Sequence, residues 1–299
     1  MYGYRAYNLL FLSELEMPEL EEAEGTPDVT ICLGSVPLQL RDCTVRTNFF
    51  QASPDEFLYK LEKTAAYYVK NGSEITIEPY MDVNAPDIRL FLLGSVFGVL
   101  LHQRGYLVLH GASVVIGGRG VLITGKSGIG KSTLAAALYK KGYAILTDDV
   151  CAVRIGADGT PYITPGFPSL KLWRDAAEKL ETSTEGLEPV KRDMEKHRVS
   201  IRAGYCTDTV RLDEIYELNA YDGSNVKLEP VRNMAKLETL IRNTYRYRFV
   251  SAQDMRSQHF RQCAAAAGKI HVFTVLRPKD GYMLDKLADA VEGNVAGHE

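Results

Sequence analysis

No two cysteines in this 299-residue chain stand as a C-x-x-C pair. The five present, Cys32, Cys43, Cys151, Cys206 and Cys263, are odd in number and widely scattered. That spacing provides neither a disulfide framework nor a zinc site, and it points to a reducing, cytoplasmic setting. An excess of charge of either sign is also lacking. The 35 basic and 38 acidic residues leave a net charge of −3, which gives no global pull toward nucleic acid or an anionic membrane. Long hydrophobic runs are missing too. The longest, residues 90–101, falls short of the roughly 20 apolar residues that a bilayer-spanning helix needs. The N-terminus has no basic start and only a short apolar run before its acids, so it does not read as a signal peptide. No internal repeat or low-complexity tract occurs. What is there is 45% hydrophobic and 24% charged, ordinary for a soluble globular protein of one large or two smaller domains.

Residues 1–80 are rich in Tyr, Val, Phe and Thr. They read as strands at 4–12, 29–33, 45–51, 65–69 and 75–77, with a turn at Asn71-Gly72. Residues 14–28 are acidic and contain two prolines, which suits a solvated loop. The pattern changes near 82–86. Residues 88–104 are apolar nearly all round, which predicts a buried helix joining two halves. Beyond it, strands at 106–116, 121–124, 143–147, 210–218, 226–228 and 270–276 are interspersed with helices at 132–141, 230–243, 252–266 and 282–291. Residues 157–170 are turn-rich, and the polar stretch 181–198 reads as a mobile loop. The expected organisation is a small β-rich domain, residues 1–83, ahead of an α/β domain, residues 84–299.

The chemistry is written in residues 121–141, VLITGKSGIGKSTLAAALYKK. Gly125, Lys126, Ser127, Gly128, Ile129, Gly130, Lys131 and Ser132 fit G-x-x-x-x-G-K-[ST] at every fixed position, and Thr133 follows. The glycines permit a loop whose N–H groups converge on one anion. Lys131 adds a point charge on the outer phosphates, and the Ser132 hydroxyl is suited to Mg²⁺. A short apolar strand precedes the loop. An Ala- and Leu-rich helix follows, with its N-terminus aimed at the phosphates.

Asp148-Asp149 ends a second apolar strand. Phosphoryl transfer to a hydroxyl needs one carboxylate to accept the proton and another near the metal. The sequence reading puts Asp148 as the base and Asp149 on Mg²⁺, with the order of the two left open. His110 closes the run LVLH on the strand that should neighbour the phosphate loop, so it joins the catalytic candidates. Lys196 and Arg198, with Lys191 and Arg192, form a basic cluster in the 181–198 loop, suited to a lid that brings a cation to the phosphoryl group. Arg242, Arg246 and Arg248 are interleaved with Tyr245, Tyr247 and Phe249, and read as surface or core packing rather than a nucleic-acid patch.

LHGAS at 109–113, GVLITGKSGIGKST at 120–133 and TDDV at 147–150 together resemble the HPr kinase/phosphorylase-like family. The aspartates follow Lys131 by one helix, and no N-K-x-D guanine signature is present. The resemblance covers residues 84–295 and is specific over 107–153. It implies a P-loop kinase domain related to phosphoenolpyruvate carboxykinase. It implies ATP as phosphoryl donor, Mg²⁺, and a serine hydroxyl on a peptide or small protein as acceptor. A homo-oligomer fits this expectation; a nucleic-acid or membrane partner does not. The glycine-rich G-L-G-L-I-N-like signature of the bifunctional enzymes has no match, so neither phosphorylase activity nor HPr as substrate follows. The run LLGSVFGVLLHQRGYLVLHG at 92–111 looks like the branch found with peptide-biosynthesis genes, which includes lasso-peptide precursor kinases acting on a C-terminal serine. The alternatives are a small-molecule kinase of the same fold, acting on free serine or another metabolite, and a nucleotide-gated binding module without transfer.

Overall fold

The computed structural model describes residues 1–81, 83–173, 196–252, 255–279 and 283–297. Residues 1–79 supply nine strands: β1 (Tyr2–Ala6), β2 (Leu9–Ser13), β3 (Glu21–Glu22), β4 (Val29–Leu33), β5 (Val45–Arg46), β6 (Phe50–Ala52), β7 (Glu56–Leu61), β8 (Ala65–Lys70) and β9 (Glu74–Pro79). They form one sheet in the order β3-β1-β2-β4-β9-β8-β7-β6-β5. The strand expected at 4–12 is instead a hairpin, with Tyr7 at φ 53° and Asn8 at φ 56°. Two successive left-handed residues suit the right-handed twist of the flanking strands. A bulky residue seldom adopts that conformation. Here Tyr7 is fully buried, its ring edge-on to Phe97 and Phe167. Its N–H donates to the Pro165 carbonyl at 2.9 Å, and its hydroxyl to the Val150 carbonyl at 3.3 Å. Strand β7 has no counterpart in the sequence reading because Phe57, Leu58 and Tyr59 are all buried, which erases the period-two alternation.

Helix α1 (Ala85–Gln103) follows the sheet and includes a π-helical stretch, Leu92–Val96. The Asn84 side chain caps it, accepting from the Asp87 N–H at 2.9 Å. At 19 residues and a mean hydropathy of 1.4 it is long and apolar enough to cross a membrane, which the sequence reading did not expect; 67% of its apolar window is buried within the protein. Phe97 stacks on Phe11 with ring centroids 4.8 Å apart, and the Tyr67 hydroxyl donates to the Ile88 carbonyl at 2.9 Å. The same apolar cluster takes in Val108, Val150, Ala152, Tyr245 and Phe249. The sheets therefore divide near residue 83, but the core does not.

The second half contributes β10 (Leu107–Ile116), β11 (Arg119–Gly125), β12 (Ala144–Thr147), β13 (Val150–Ile155), β14 (Pro161–Thr164), β15 (Ser169–Trp173), β16 (Lys196–Ser200), β17 (Val210–Tyr221), β18 (Lys227–Val231) and β19 (His271–Pro278). Eight of these form a mixed sheet, ordered β11-β10-β13-β14-β17-β19-β18, with β12 also on β10. Strand β17 pairs with β11 as well, so the pairings close a circuit. Strands β11, β17 and β19 are mutually parallel and end at one edge. Helix α2 (Lys131–Lys140) packs between this sheet, the antiparallel β15–β16 pair and the C-terminal helix, Leu284–Ala296. The turn-rich stretch 157–170 contains β14 and opens β15, and residues 196–200 are a strand rather than part of a loop. The helix expected at 230–243 begins only at Met234, because Pro230 sits in the edge strand β18, where the ladder can lack a donor.

Candidate active site

Strand β11 runs straight into the glycine loop. Gly125, Gly128 and Gly130 have φ of 132°, 82° and 109°, a left-handed series that favours glycine. At Gly125 space is limiting as well: a Cβ there would lie 2.6 Å from the Leu218 carbonyl oxygen on β17. Ile129 packs its side chain against the apolar core, so it offers the loop only backbone. Lys131 and Ser132 open α2, with Thr133 in its first turn. Lys131 is 7% exposed, and its Nζ donates to the Gly125 and Lys126 carbonyls at 2.9 and 3.1 Å.

Asp148 and Asp149 leave β12 in different directions. Asp148 is buried and faces α2. Its Oδ1 accepts from Ser132 Oγ at 2.8 Å, and its Oδ2 accepts from the Lys171 N–H at 2.8 Å. Asp149 is held at φ 74°, an unusual value for aspartate. Its side chain turns the other way. Oδ2 accepts from Lys171 Nζ at 2.7 Å, and Oδ1 lies 3.4 Å from His110 Nδ1. His110 Nδ1 also lies 3.1 Å from the Asp149 carbonyl oxygen. A carbonyl can only accept, so Nδ1 carries the proton and Nε2 keeps a lone pair in the neutral ring. Burial lowers the His110 pKa, opposed by the nearby Asp149, and the ring stays neutral at physiological pH.

A cleft of about 760 Å³ opens beside His110, Asp149 and the first half of the glycine loop. It lies at the carboxyl end of β11, beside Glu217 and Asn219 on β17 and Thr274 on β19. Glu217 on β17 lines it and takes a two-pronged bond from Arg242, at 2.8 and 2.7 Å, and a third from Asn243 Nδ2 at 2.8 Å. Burial pushes its pKa up, but those donors more than offset that and hold the carboxyl below its ordinary range. Tyr245 and Arg246 complete the wall, with the Tyr245 ring 5.6 Å from that of His110. Two buried histidines hold this wall from behind. His102 Nε2 donates to the Tyr245 carbonyl at 3.1 Å, and His259 Nε2 lies 2.7 Å from Thr244 Oγ1.

The structure thus gathers His110, the glycine loop, Lys131, Ser132 and both aspartates at one place. The proposed lid is different. Residues 174–195 lie outside the described part, including Lys191, Arg192 and most of the expected loop. Lys196 opens β16, and Arg198 sits on that strand with its guanidinium paired to Glu19, which also binds Arg89 Nε at 2.9 Å. Arg198 is therefore a strand residue tied to the N-terminal segment, not a cation on a loop. Sequence reasoning missed Lys171 and Glu217, and it read Arg242 and Arg246, which line the cleft, as packing. A usable signal for Lys171 lay in SLKLW, whose alternation separates Ser169 and Lys171 from two leucines.

Residues 104–161 match the family model described as the HPr Serine kinase C-terminal domain. An HPr kinase/phosphorylase of Clostridium botulinum is 49% identical over 64 residues, 20% of this chain and 21% of that protein. The HPr kinase/phosphorylase of Clostridium kluyveri is 31% identical over 160 residues, 48% of this chain and 49% of the relative. Among solved structures, the Hpr(Ser) kinase/phosphatase from Coxiella burnetii aligns with 64% of this chain and 95% of its own, at 16% identity and a TM-score of 0.35. The chain spans from about a fifth to about half the length of these curated relatives. It is the stretch holding His110, the glycine loop and the aspartate pair that carries the likeness to the HPr kinase/phosphorylase family.

Proposed function

We propose that this protein is an ATP-dependent kinase that transfers the γ-phosphoryl group to a serine hydroxyl of a peptide or small protein. The observation that carries this reading is the division of the aspartate pair: Asp148 on Ser132, and Asp149 on His110 at the cleft. One carboxylate serves the metal side and the other, at the cleft, serves the proton, which is what transfer to a hydroxyl requires. A module that only binds nucleotide has no use for the second. Among the described residues no cluster of three or more His, Cys, Asp or Glu could cage a metal. The hydroxyl of Ser132 and the carboxylate of Asp148 are hard oxygen donors, and they suit Mg²⁺ that takes its remaining ligands from phosphates and water. Bound there, Mg²⁺ would neutralise charge on the β- and γ-phosphates.

The role assignment is the reverse of the sequence expectation. Asp148 is buried with both oxygens accepting, one of them from the hydroxyl that would meet the metal. Asp149 faces the cleft, so it is the one placed to take the acceptor proton, with His110 orienting it. Lys131 would leave the carbonyls of Gly125 and Lys126 for the phosphates, which the N-terminus of α2 would also meet.

The resemblance at 92–111 adds a narrower acceptor, the C-terminal serine of a lasso-peptide precursor. Mass spectrometry of candidate precursors, of free serine and of a buffer control after incubation with Mg·ATP tests all readings together. A peptide gaining one phosphoryl group supports the proposal. Phosphoserine alone would make it a small-molecule kinase, and ADP release without any phosphorylated acceptor would count against transfer.

A further inference from the structure

Lys171 touches both aspartates. Its backbone N–H donates to Asp148 Oδ2 at 2.8 Å, and its ammonium to Asp149 Oδ2 at 2.7 Å. It reaches them from β15, whose alternation sends Leu170 and Leu172 into the core around α2 and turns Lys171 to the opposite face. Five consecutive pairs with β16 fix the register, with Lys171 opposite Arg198. The side chain is 8% exposed. An ammonium so far from water needs a counter-charge, and Asp149 provides it.

We propose that Lys171 is a catalytic cation that changes partner during transfer, holding Asp149 in the resting site and the moving phosphoryl group in the transition state. The inference rests on the kinase reading above. In the reaction the acceptor O–H bond breaks and its proton passes to Asp149. The acceptor oxygen forms a bond to phosphorus as the bond to the ADP oxygen breaks, and the electron pair leaves with ADP. Asp149 becomes neutral in that step. Lys171 keeps its proton and loses its counter-charge at the moment when the non-bridging oxygens of the phosphoryl group come alongside. An interaction that strengthens only then accelerates the step, whereas one present throughout does not. Lys131 lies on the carbonyls of the loop itself and serves the bound nucleotide from the start. The two lysines therefore divide ground-state and transition-state charge between them.

The test uses the full chain, with Mg·ADP alone and Mg·ADP with aluminium fluoride, which mimics the phosphoryl group in flight with a water in the acceptor's place to share its proton with Asp149. In the wild type, aluminium fluoride should tighten ADP binding. Lys171→Met should bind Mg·ADP within about threefold of wild type and lose roughly 10²–10³-fold of the tightening. Unchanged tightening in Lys171→Met, or none in a wild type that binds Mg·ADP, overturns the inference and leaves the nucleotide site standing. Should the Met variant fail to fold, Lys171→Arg and Lys171→Gln decide. Both can donate to Asp149, but only Arg keeps the charge, so equal tightening in the two would show a merely structural tie. A wild type that binds no Mg·ADP removes the kinase reading and this inference with it.

Discussion

Asp148 and Asp149 share a residue type and a position in the chain, and their surroundings make them different reagents. Asp149→Asn should cut transfer by about 10²–10⁴ with little change in Mg·ATP affinity, measured by single turnover and calorimetry. Asp148→Asn should raise the Mg²⁺ concentration needed for half-maximal rate. An exchanged pair of results would restore the order expected from the sequence. Lys131→Ala should weaken Mg·ATP binding and cost about 10²–10³ in kcat/KM, and a near wild-type kcat/KM would sink the phosphate-loop assignment. His102 gives a prediction about stability. Burial takes its pKa down to about 4, against about 6.5 in an unfolded chain. The unfolded chain therefore takes up the proton first as pH falls. The contribution is full above about pH 6.5 and is lost progressively down to about pH 4, on the order of 3 kcal/mol at most. Urea unfolding at several pH values should show this slope, flattened in His102→Gln, which keeps a donor for the Tyr245 carbonyl. His110 and the glycine loop were legible in sequence because their motifs are contiguous. Lys171 and Glu217 were not, because each acquires its meaning from a partner distant in the chain, Asp149 at a bend and Arg242 at a helix end.

Among the elements, α1 shows how a helix can shape a site that it does not line. Its π-helical stretch contains Gly94 and Ser95, and Gly98 lies one turn on. The Tyr245 ring fills the space these small residues leave, and a Cβ at Gly98 would lie 2.7 Å from Tyr245 Cδ1. Gly98→Ala would on helix propensity alone stabilise by about 1 kcal/mol. We expect the opposite sign, a loss of about 1–3 kcal/mol from overpacking, together with slower transfer because Tyr245 abuts His110. A raised melting temperature with normal turnover would refute this. The helix was readable from composition, since a segment apolar on every side has to be buried. Its π-helical stretch was not, because it answers to a tyrosine far along the chain. The break at Tyr7-Asn8 escaped notice for a related reason: tyrosine is no turn former, and only its buried socket makes the turn tolerable.

For the whole molecule, the change in pattern near residue 83 marks where one sheet gives way to another, yet one apolar cluster runs across it. A sequence shows where strands cluster but not which faces they bury together. Deleting residues 1–81 would uncover Leu92, Leu93, Val96 and Phe97, each at most 1% exposed. The truncated chain should lose its near-ultraviolet circular dichroism and aggregate; a well-folded fragment that binds Mg·ATP would show the halves to be separable after all. The Tyr7 hairpin carries this interdependence into biosynthesis. Its hydroxyl bonds to a carbonyl 143 residues downstream. At about 5–20 residues per second, a ribosome needs roughly 7–29 s to supply that partner. Through that interval the nascent N-terminal sheet holds out an aromatic turn whose socket has yet to be made, a natural place for a chaperone to wait.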